Sequence, residues 1–410
     1  MSQTKAQLIA DLTQPLVLDE QGELRFGDSD GSNYVGFKAA ATVSTNRIWT
    51  LPAADGSNGQ ALVTDGSGNF SFADAGGASA INDLSDAVTN SSGATIGLGT
   101  GALANDDGTS NKNTALGQNA LNANTSGANN TSLGYHSLEL NTTGSNNTAV
   151  GLAALDANTT GSSLVAIGKG ALGANTTASN NVAVGDQALN ANTTGTNNVA
   201  VGYDALNANT TGSLNAGVGS EALLLLTTGD RNTAFGAQAG RNGTTVDYGT
   251  YIGYQAGANL SGDSNSSLGY QALRGVYSGG ASSTGAYNTA VGYTAGIAIT
   301  SGNYNVFLGS TAGDAVTTGD NNVAVGASAL SANTTADNNT AVGHAALESN
   351  TTGAKNVAVG ADTLKSNTTG ISNVAVGYNT LNTLQTGSNN IGIGDGVLGA
   401  LTTGSYNHGV

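Results

Sequence analysis

The stretch from Asn181 to Asn197 decides the fold, and it reads NVAVGDQALNANTTGTN. The pattern starts again directly afterwards, as NVAVG over residues 198–202. Within the first five residues, Val182 and Val184 alternate with a smaller alanine. Period-two alternation with β-branched residues is typical of a β-strand. Each copy of the motif therefore predicts one short strand.

The rest of the unit predicts how the chain returns to the next strand. Ala188 and Leu189 follow Gly185 by three and four residues and offer a second apolar contact. The sequence Asn-Thr-Thr-Gly at residues 192–195 then supplies residues that favour a turn. We expect each unit to be a strand, a bend, a short second strand and a turn, without a helix.

The glycine that closes the motif recurs through most of the chain, and we call it the ladder glycine. A 17-residue spacing relates the members of two series: Gly117, Gly134, Gly151, Gly168, Gly185, Gly202, Gly219, Gly236 and Gly253, then Gly309, Gly326, Gly343, Gly360, Gly377 and Gly394. Between the series, Gly269 follows a 16-residue interval and Gly292 a 23-residue interval, and Gly99 begins the pattern one 18-residue interval before Gly117. The sequence thus contains 18 units, or rungs, over residues 92–410.

A unit of this length is too short to bury a core alone, but stacked units can bury one together. Each strand then pairs with its copy in the next rung, and equivalent side chains form columns. One such column would hold Val150, Ile167, Val184, Val201 and Val218. Another, four residues before each ladder glycine, is nearly all asparagine, which can hydrogen-bond along the stack. The glycine column indicates positive φ or close approach to another chain. A coil of only 17 residues is thin, which favours an oligomer that buries its outer surface.

The composition excludes several classes of protein. The chain has 62 glycines but only two prolines and no three-residue glycine period, which excludes collagen. It has no cysteine, which excludes disulfide and thiolate chemistry. Charged residues make up only 9% and hydrophobic residues 38%, unlike a disordered tail. With 11 basic residues against 27 acidic ones, a net charge of −16 argues against nucleic-acid binding.

The repeated motif resembles the head repeats of trimeric autotransporter adhesins, the YadA-like head. The match is Asn-Asn-Val-Ala-Val-Gly, as at residues 197–202 and 321–326, and it covers residues 92–410. The resemblance implies an all-β fold: a left-handed parallel β-roll, or solenoid, assembled as a homotrimer. The chain departs from the family in its longer repeat, whose extra residues fall in the Asn-Thr-Thr-Gly turn.

The amino-terminal part of the chain, residues 1–75, looks like the amino-terminal region of bacteriophage tail fibres. The resemblance rests on NYVGFKA at residues 33–39, TLPAADG at 50–56 and GQALVTD at 59–65. It implies an attachment segment over residues 1–20 and a small β-rich anchoring domain over residues 21–75. Their partner would be a phage tail or baseplate protein.

The start of the chain agrees better with a fibre than with an exported adhesin. Met1–Leu18 has no basic region followed by an apolar one, so it does not resemble a signal peptide. No apolar run approaches the ~18 residues of a membrane-spanning helix. We therefore expect assembly in the cytoplasm of an infected host, localisation in the virion tail, and no membrane insertion.

A linker and a short helical neck are predicted over residues 76–91. Gly76-Gly77-Ala78-Ser79 is a flexible break. Ile81, Leu84 and Val88 then follow at helical spacing, with Ser79 as a possible cap. The neck would join the amino-terminal domain to the rungs.

The 23-residue interval holds the most divergent sequence of the repeat region. Eight of the 13 tyrosines of the chain lie between Tyr248 and Tyr304. A tyrosine offers a flat face and a hydroxyl group to a sugar, so Tyr270, Arg274, Tyr277 and Tyr287 are candidate glycan contacts. The alternative is that these tyrosines only cover exposed apolar rungs.

The sequence does not predict an enzyme, a cofactor or a metal site. We expect the acidic residues of the rungs not to recur at a fixed position, and Asp83, Asp86, Asp106 and Asp107 to serve in turns and solvation. The three histidines, His136, His344 and His408, are isolated in the sequence, and the first two are expected to point outward.

Together these patterns favour a structural tail fibre of a bacteriophage. Its shaft would project a distal region that binds a host-surface glycan or protein during adsorption. A bacterial trimeric surface adhesin that binds host matrix or glycans is the alternative, and a polysaccharide depolymerase is the least favoured. Because a new rung begins at Asn407 and Val410 takes the place of Ile393, we also expect the chain to continue beyond this sequence.

Overall fold

A computed structural model describes residues 23–27, 34–38, 60–64, 70–74, 87–89, 95–107, 111–276 and 282–410. The chain divides into two compact units, Met1–Ser79 and Ala80–Val410. The strands are β1 (Glu23–Gly27), β2 (Tyr34–Lys38), β3 (Gln60–Thr64), β4 (Phe70–Asp74), β5 (Ala87–Thr89), β6 (Ile96–Leu98), β7 (Thr114–Leu116), β8 (Thr131–Leu133), β9 (Thr148–Val150), β10 (Val165–Ile167), β11 (Val182–Val184), β12 (Val199–Val201), β13 (Ala216–Val218), β14 (Thr233–Phe235), β15 (Thr250–Ile252), β16 (Ser266–Leu268), β17 (Thr289–Val291), β18 (Val306–Leu308), β19 (Val323–Val325), β20 (Thr340–Val342), β21 (Val357–Val359), β22 (Val374–Val376), β23 (Ile391–Ile393) and β24 (His408–Gly409). No described residue is helical.

The amino-terminal unit contains two antiparallel strand pairs. Strand β1 pairs with β2, from Glu23 opposite Lys38 to Gly27 opposite Tyr34. Strand β3 pairs with β4, from Gln60 opposite Asp74 to Thr64 opposite Phe70. The predicted attachment segment over residues 1–20 lies outside the described residues.

The second unit is a parallel β-solenoid, as the 17-residue period predicts. Strands β6 to β24 pair in sequence order, each with the equivalent strand of the next rung; Val165, Val182 and Val199 face one another in successive strands. The irregular intervals do not disturb the register, because Tyr251, Ser267 and Ala290 stay aligned across both. The changes of length are therefore absorbed in the turns.

The predicted neck helix is wrong where the structure tests it. Val88 lies in strand β5, which pairs antiparallel with β6 at the first edge of the solenoid, so that Val88 faces Gly97. Ile81 and Leu84 lie outside the described residues. Val88 is β-branched and enters a sheet edge that offers free backbone groups, a tertiary effect that outweighs its helical spacing.

The side chains that face the interior of the solenoid are not those of the predicted valine column. The predicted column from Val150 to Val218 exists in the expected register, but it lies on the outer face of the coil and is only half-buried. The interior instead receives the middle residue of each strand, which is alanine in most rungs, such as the fully buried Ala183, and the fully buried Ala188 and Leu189 of the following turn. A turn of only 17 residues encloses a narrow interior. Alanine therefore fits at the inward position of this rung, where valine would not.

A turn replaces the predicted second short strand in each rung. After Gly185, the backbone of Gln187 and Leu189 adopts left-handed φ values of 60° and 51°, and the same two positions do so in most rungs. Leu189 N donates to the carbonyl of Ala205 in the next rung, and Gln187 N to that of Lys169 in the preceding rung. Left-handed residues thus direct backbone groups to both neighbouring rungs without a strand.

Two rungs hold an aromatic ring where the others hold a small residue. Tyr251 and Phe307 occupy the inward position of β15 and β18, and both are almost fully buried. The position four residues after the ladder glycine is leucine in most rungs, but it is glycine on both sides of each ring. These glycines are Gly240 and Gly257 beside Tyr251, and Gly296 and Gly313 beside Phe307.

Candidate functional site

The ladder glycines have the predicted positive φ, but their close neighbour is the same chain and not another one. All fifteen in the regular series have φ between 126° and 143°, a region that side chains other than glycine rarely adopt. A Cβ atom on Gly219 would also lie 2.6 Å from the carbonyl carbon of Gly236, the next ladder glycine of the same chain. The close neighbour is the next rung of the same chain.

The asparagine column joins consecutive rungs by hydrogen bonds, as predicted. Oδ1 of Asn181 accepts from the backbone N–H of Asn198 at 2.8 Å, and Nδ2 of Asn181 donates to the carbonyl of Gly195 at 2.8 Å. Both asparagines are fully buried. Each amide therefore satisfies buried backbone groups of the strand and of the turn.

A second asparagine column, seven residues after the ladder glycine, was not predicted. From Asn141 to Asn209, each Nδ2 donates to Oδ1 of the asparagine one rung earlier, beginning with Asn124, at 2.8–3.0 Å. The column resumes at Asn333 and ends at Asn367. Within the described ranges, the buried Oδ1 atoms of Asn209 and Asn367 have no hydrogen-bond partner, because Leu226 and Leu384 occupy the next positions. The repeated Asn-Thr-Thr could have revealed this column.

An apolar column lies uncovered along the outside of the solenoid. The residue directly before the ladder glycine is aliphatic or aromatic in all 18 rungs, from Leu98 to Ile393, and none of these side chains is buried. Phe235 is 60% exposed, Leu116 47% and Leu268 46%. We call it the outer apolar column. An uninterrupted apolar surface of this kind is typical of an interaction site.

Exposed tyrosines form two separate stacks in the middle rungs. Tyr254, Tyr270 and Tyr293, each directly after a ladder glycine, stack with centroids 5.5 and 5.4 Å apart. Tyr287 stacks on Tyr304 at 5.0 Å, and both lie five residues before a ladder glycine. The structure therefore separates two candidate glycan contacts, Tyr270 and Tyr287, into different columns.

The remaining candidate glycan contacts do not add to either stack. Nε of Arg274 is buried without a hydrogen-bond partner in the described part of the chain. Tyr277 lies outside the described residues.

A column of glutamines runs beside the tyrosines. Nε2 of Gln271 donates to Oε1 of Gln255 at 2.8 Å, and Nε2 of Gln255 donates to Oε1 of Gln238 at 2.7 Å. Gln238 donates in turn to Oε2 of Glu221 at 3.0 Å, which also accepts from Nε of Arg241 at 2.6 Å. The hydrogen bond from Arg241 holds the pKa of Glu221 below its ordinary value, against a smaller opposing effect of burial.

The expectation that acidic residues do not recur at a fixed rung position is wrong. Asp230, Asp247 and Asp263 occupy equivalent positions in three consecutive rungs, six residues before the ladder glycine. Oδ1 of Asp247 accepts from the backbone N–H of Asp230 at 2.7 Å, and Oδ1 of Asp263 from that of Asp247 at 2.9 Å. Ser162 and Ser213 accept similarly elsewhere in this column. The carboxylates of Asp247 and Asp263 thus accept hydrogen bonds from the turn backbone of the preceding rung.

The described titratable side chains outside these columns form only small clusters. Nδ1 of His136 contacts Oε2 of Glu139, whereas His344 and His408 are exposed. Burial raises the pKa of Asp156 above its ordinary value. Among the described residues, no group of three or more histidine, cysteine, aspartate or glutamate side chains could hold a metal ion.

Comparisons with known proteins give no assignment. No family model matches the chain, and neither a curated protein nor a solved structure matches it. The described residues include no helix that is long and apolar enough to span a membrane. The geometry of the columns is therefore the basis for any functional proposal.

Proposed function

We propose that this chain is the shaft of a homotrimeric bacteriophage tail fibre with YadA-like rungs. The observation that carries the proposal is the outer apolar column, which continues through all 18 rungs beside an unbroken parallel strand ladder. Eighteen rungs at a strand spacing of about 4.8 Å give a rod roughly 85 Å long. Such a rod would act as a stiff spacer between a virion attachment region and a distal receptor-binding region.

Three parallel copies would bury their outer apolar columns against one another along the fibre axis. A partner with the same axial repeat can match every rung of this column, and another copy of the chain has that repeat by construction. Removing half-exposed leucine, valine and phenylalanine side chains from water contributes about 25 cal/mol per Å² of apolar surface. Repetition over 18 rungs makes this term large although each contact is small.

The amino-terminal unit would supply the attachment to the tail or baseplate, and multiple copies of the fibre would raise avidity for the host. Immunogold electron microscopy of virions, with antibodies against the purified chain, tests this role. Labelling along a tail appendage is the expected result. Labelling of the outer surface of uninfected bacteria would favour the bacterial adhesin instead, and tails without label would contradict the fibre.

Sedimentation of the purified chain tests the assembly. A mass three times the 40.0 kDa of one chain is expected. Phe235→Asp, which puts a charge in the outer apolar column, should yield smaller species, whereas Thr194→Asp, at an exposed turn position, should not. A wild-type chain that sediments as a monomer would contradict the trimer without bearing on the location in the virion.

A further inference from the structure

We propose that the two free ring faces of the tyrosine stack Tyr254–Tyr270–Tyr293 bind the pyranose rings of a neutral polysaccharide. The site lies on the side of the shaft, so it is distinct from a distal receptor-binding region. It does not require that the chain belongs to a virion.

The stack leaves one usable face at each end. The rings of Tyr254 and Tyr270 are 21° from parallel and those of Tyr270 and Tyr293 only 9°, with centroids 5.4–5.5 Å apart. The middle ring is therefore covered on both faces and exposes its edge and hydroxyl group. Tyr254 and Tyr293 each have one covered and one free face, and they are 44% and 58% exposed.

The column positions next to the free faces hold small residues. Ala237 precedes Tyr254 by one rung, and Ser310 follows Tyr293 by one rung. Neither side chain is large enough to cover a phenol ring, so the column itself leaves both ring faces uncovered. Flat rings stack at centroid separations of about 4.5–7 Å, which matches the rung spacing. A pyranose ring could thus take the place of the next tyrosine.

Polar groups beside the stack suit sugar hydroxyls. The glutamine column lies one residue further along each turn and ends at Gln271, since the next residue of that column is Thr294. Among the described residues, no hydrogen bond reaches Oε1 of Gln271, which leaves an acceptor free. The tyrosine hydroxyls add donors at the rim. A few placed polar groups beside apolar faces are characteristic of small-ligand sites.

Charge selects a neutral polymer over an anionic one. The chain carries 27 acidic and 11 basic residues, and Asp230, Asp247 and Asp263 stack in the same part of the shaft. Fixed negative charge lowers the local concentration of polyanions.

The length of the stack favours a glycan over a second copy of the chain. The tyrosines span only three rungs, whereas an interface between copies would follow the repeat, as the outer apolar column does over 18 rungs. Stacking also holds the tyrosine rings in place before binding, which lowers the entropic cost of ordering these side chains when a ligand binds.

A glycan array that includes neutral, sialylated and sulfated glycans, probed with the full chain, tests the proposal. Retention on neutral hexose polymers is expected. Tyr254→Ala/Tyr293→Ala should weaken that retention by about tenfold, while Tyr254→Phe/Tyr293→Phe should retain most of it. The matched control is Tyr378→Ala, because Tyr378 is 55% exposed in the same column but has no stacked neighbour.

Several results would overturn the proposal. These are no retention on any neutral glycan, preference for sulfated polymers, retention unchanged in the double alanine variant, or equal loss in Tyr378→Ala. A double alanine variant that keeps its circular dichroism spectrum and glycan retention but sediments with a lower mass would assign the stack to contacts between copies.

Discussion

The rung of Ala183 and the rung of Tyr251 fill the same cross-section in different ways. Around Ala183, the positions after the ladder glycines hold Leu172 and Leu189, and all three side chains are fully buried. Around Tyr251 the same two positions hold Gly240 and Gly257, and a Cβ atom on Gly240 would lie 2.7 Å from Cδ2 of the tyrosine ring. One large ring and two glycines thus replace one alanine and two leucines.

The comparison shows that the interior of the solenoid conserves volume rather than residue type. Phe307, between Gly296 and Gly313, repeats the same exchange three rungs later. Because neighbouring rungs contribute to one cross-section, a change in one rung requires compensation in the next. The exchange has a cost around Tyr251. Its buried hydroxyl group finds no hydrogen-bond partner in the described part of the chain, and burial raises the pKa of this group.

The largest effect is expected when the aromatic ring is removed. Phe307→Ala should lower the free energy of unfolding by about 3–5 kcal/mol, because Gly296 and Gly313 cannot fill the space. The triple variant Phe307→Ala/Gly296→Leu/Gly313→Leu recreates the regular pattern and should recover most of this loss. Urea denaturation followed by circular dichroism measures both. A triple variant less stable than Phe307→Ala would contradict the exchange of one ring for two leucines.

Adding the regular leucine beside an intact ring should destabilise less. Gly257→Leu forces a side chain into the Tyr251 ring, which we expect to cost about 1–3 kcal/mol. In the Tyr251→Ala background the same substitution should instead stabilise. Hydrogen exchange of the amides in residues 250–260 measures the local effect. The same loss in both backgrounds would show that the ring and the glycine are not coupled.

The two asparagine columns should differ in their tolerance of leucine. Asn356→Leu leaves the buried N–H of Asn373 without its acceptor, and should cost about 1–3 kcal/mol. Asn367→Leu is the control, because the Gly370 carbonyl keeps the hydrogen bond from Asn356, and the unpaired Oδ1 of Asn367 is merely exchanged for that of Asn350. We expect it to be nearly neutral in urea denaturation. Equal losses would contradict the different roles of the columns.

The smallest effect concerns the ion pair at the start of the glutamine column. Glu221→Gln should lower stability by less than about 1 kcal/mol at neutral pH, because Glu221 and Arg241 are both partly exposed. The pKa of Glu221 is lowered on folding, so the pair stabilises above the ordinary value of 4.5 and loses its effect as the pH falls through the lowered pKa.

Thermal denaturation across this pH range measures the effect of the pair. The wild type and Glu221→Gln should converge at acidic pH. A difference that grows as the pH falls would contradict the assignment.

The period and register of the solenoid could be predicted from sequence, whereas the inward face could not. In Val182-Ala183-Val184 both faces of the strand are apolar, so hydrophobicity alone does not determine which face is buried. The narrow interior determines it, because only the smaller alanine side chain fits there. The left-handed φ of Gln187 and Leu189 also carries no local signal, since neither residue type favours it. The tyrosine cluster was evident, but only the structure separates Tyr270 from Tyr287.

The constant register has a consequence for how such a rod can change in evolution. Each strand from β7 to β23 pairs with the strands of the two neighbouring rungs, and even the 16-residue and 23-residue intervals leave the strands aligned. Duplication or deletion of one 17-residue segment would therefore lengthen or shorten the rod by about 4.8 Å while both ends stay the same. The length of the solenoid can therefore change only in steps of one rung, according to the number of 17-residue segments that the sequence contains.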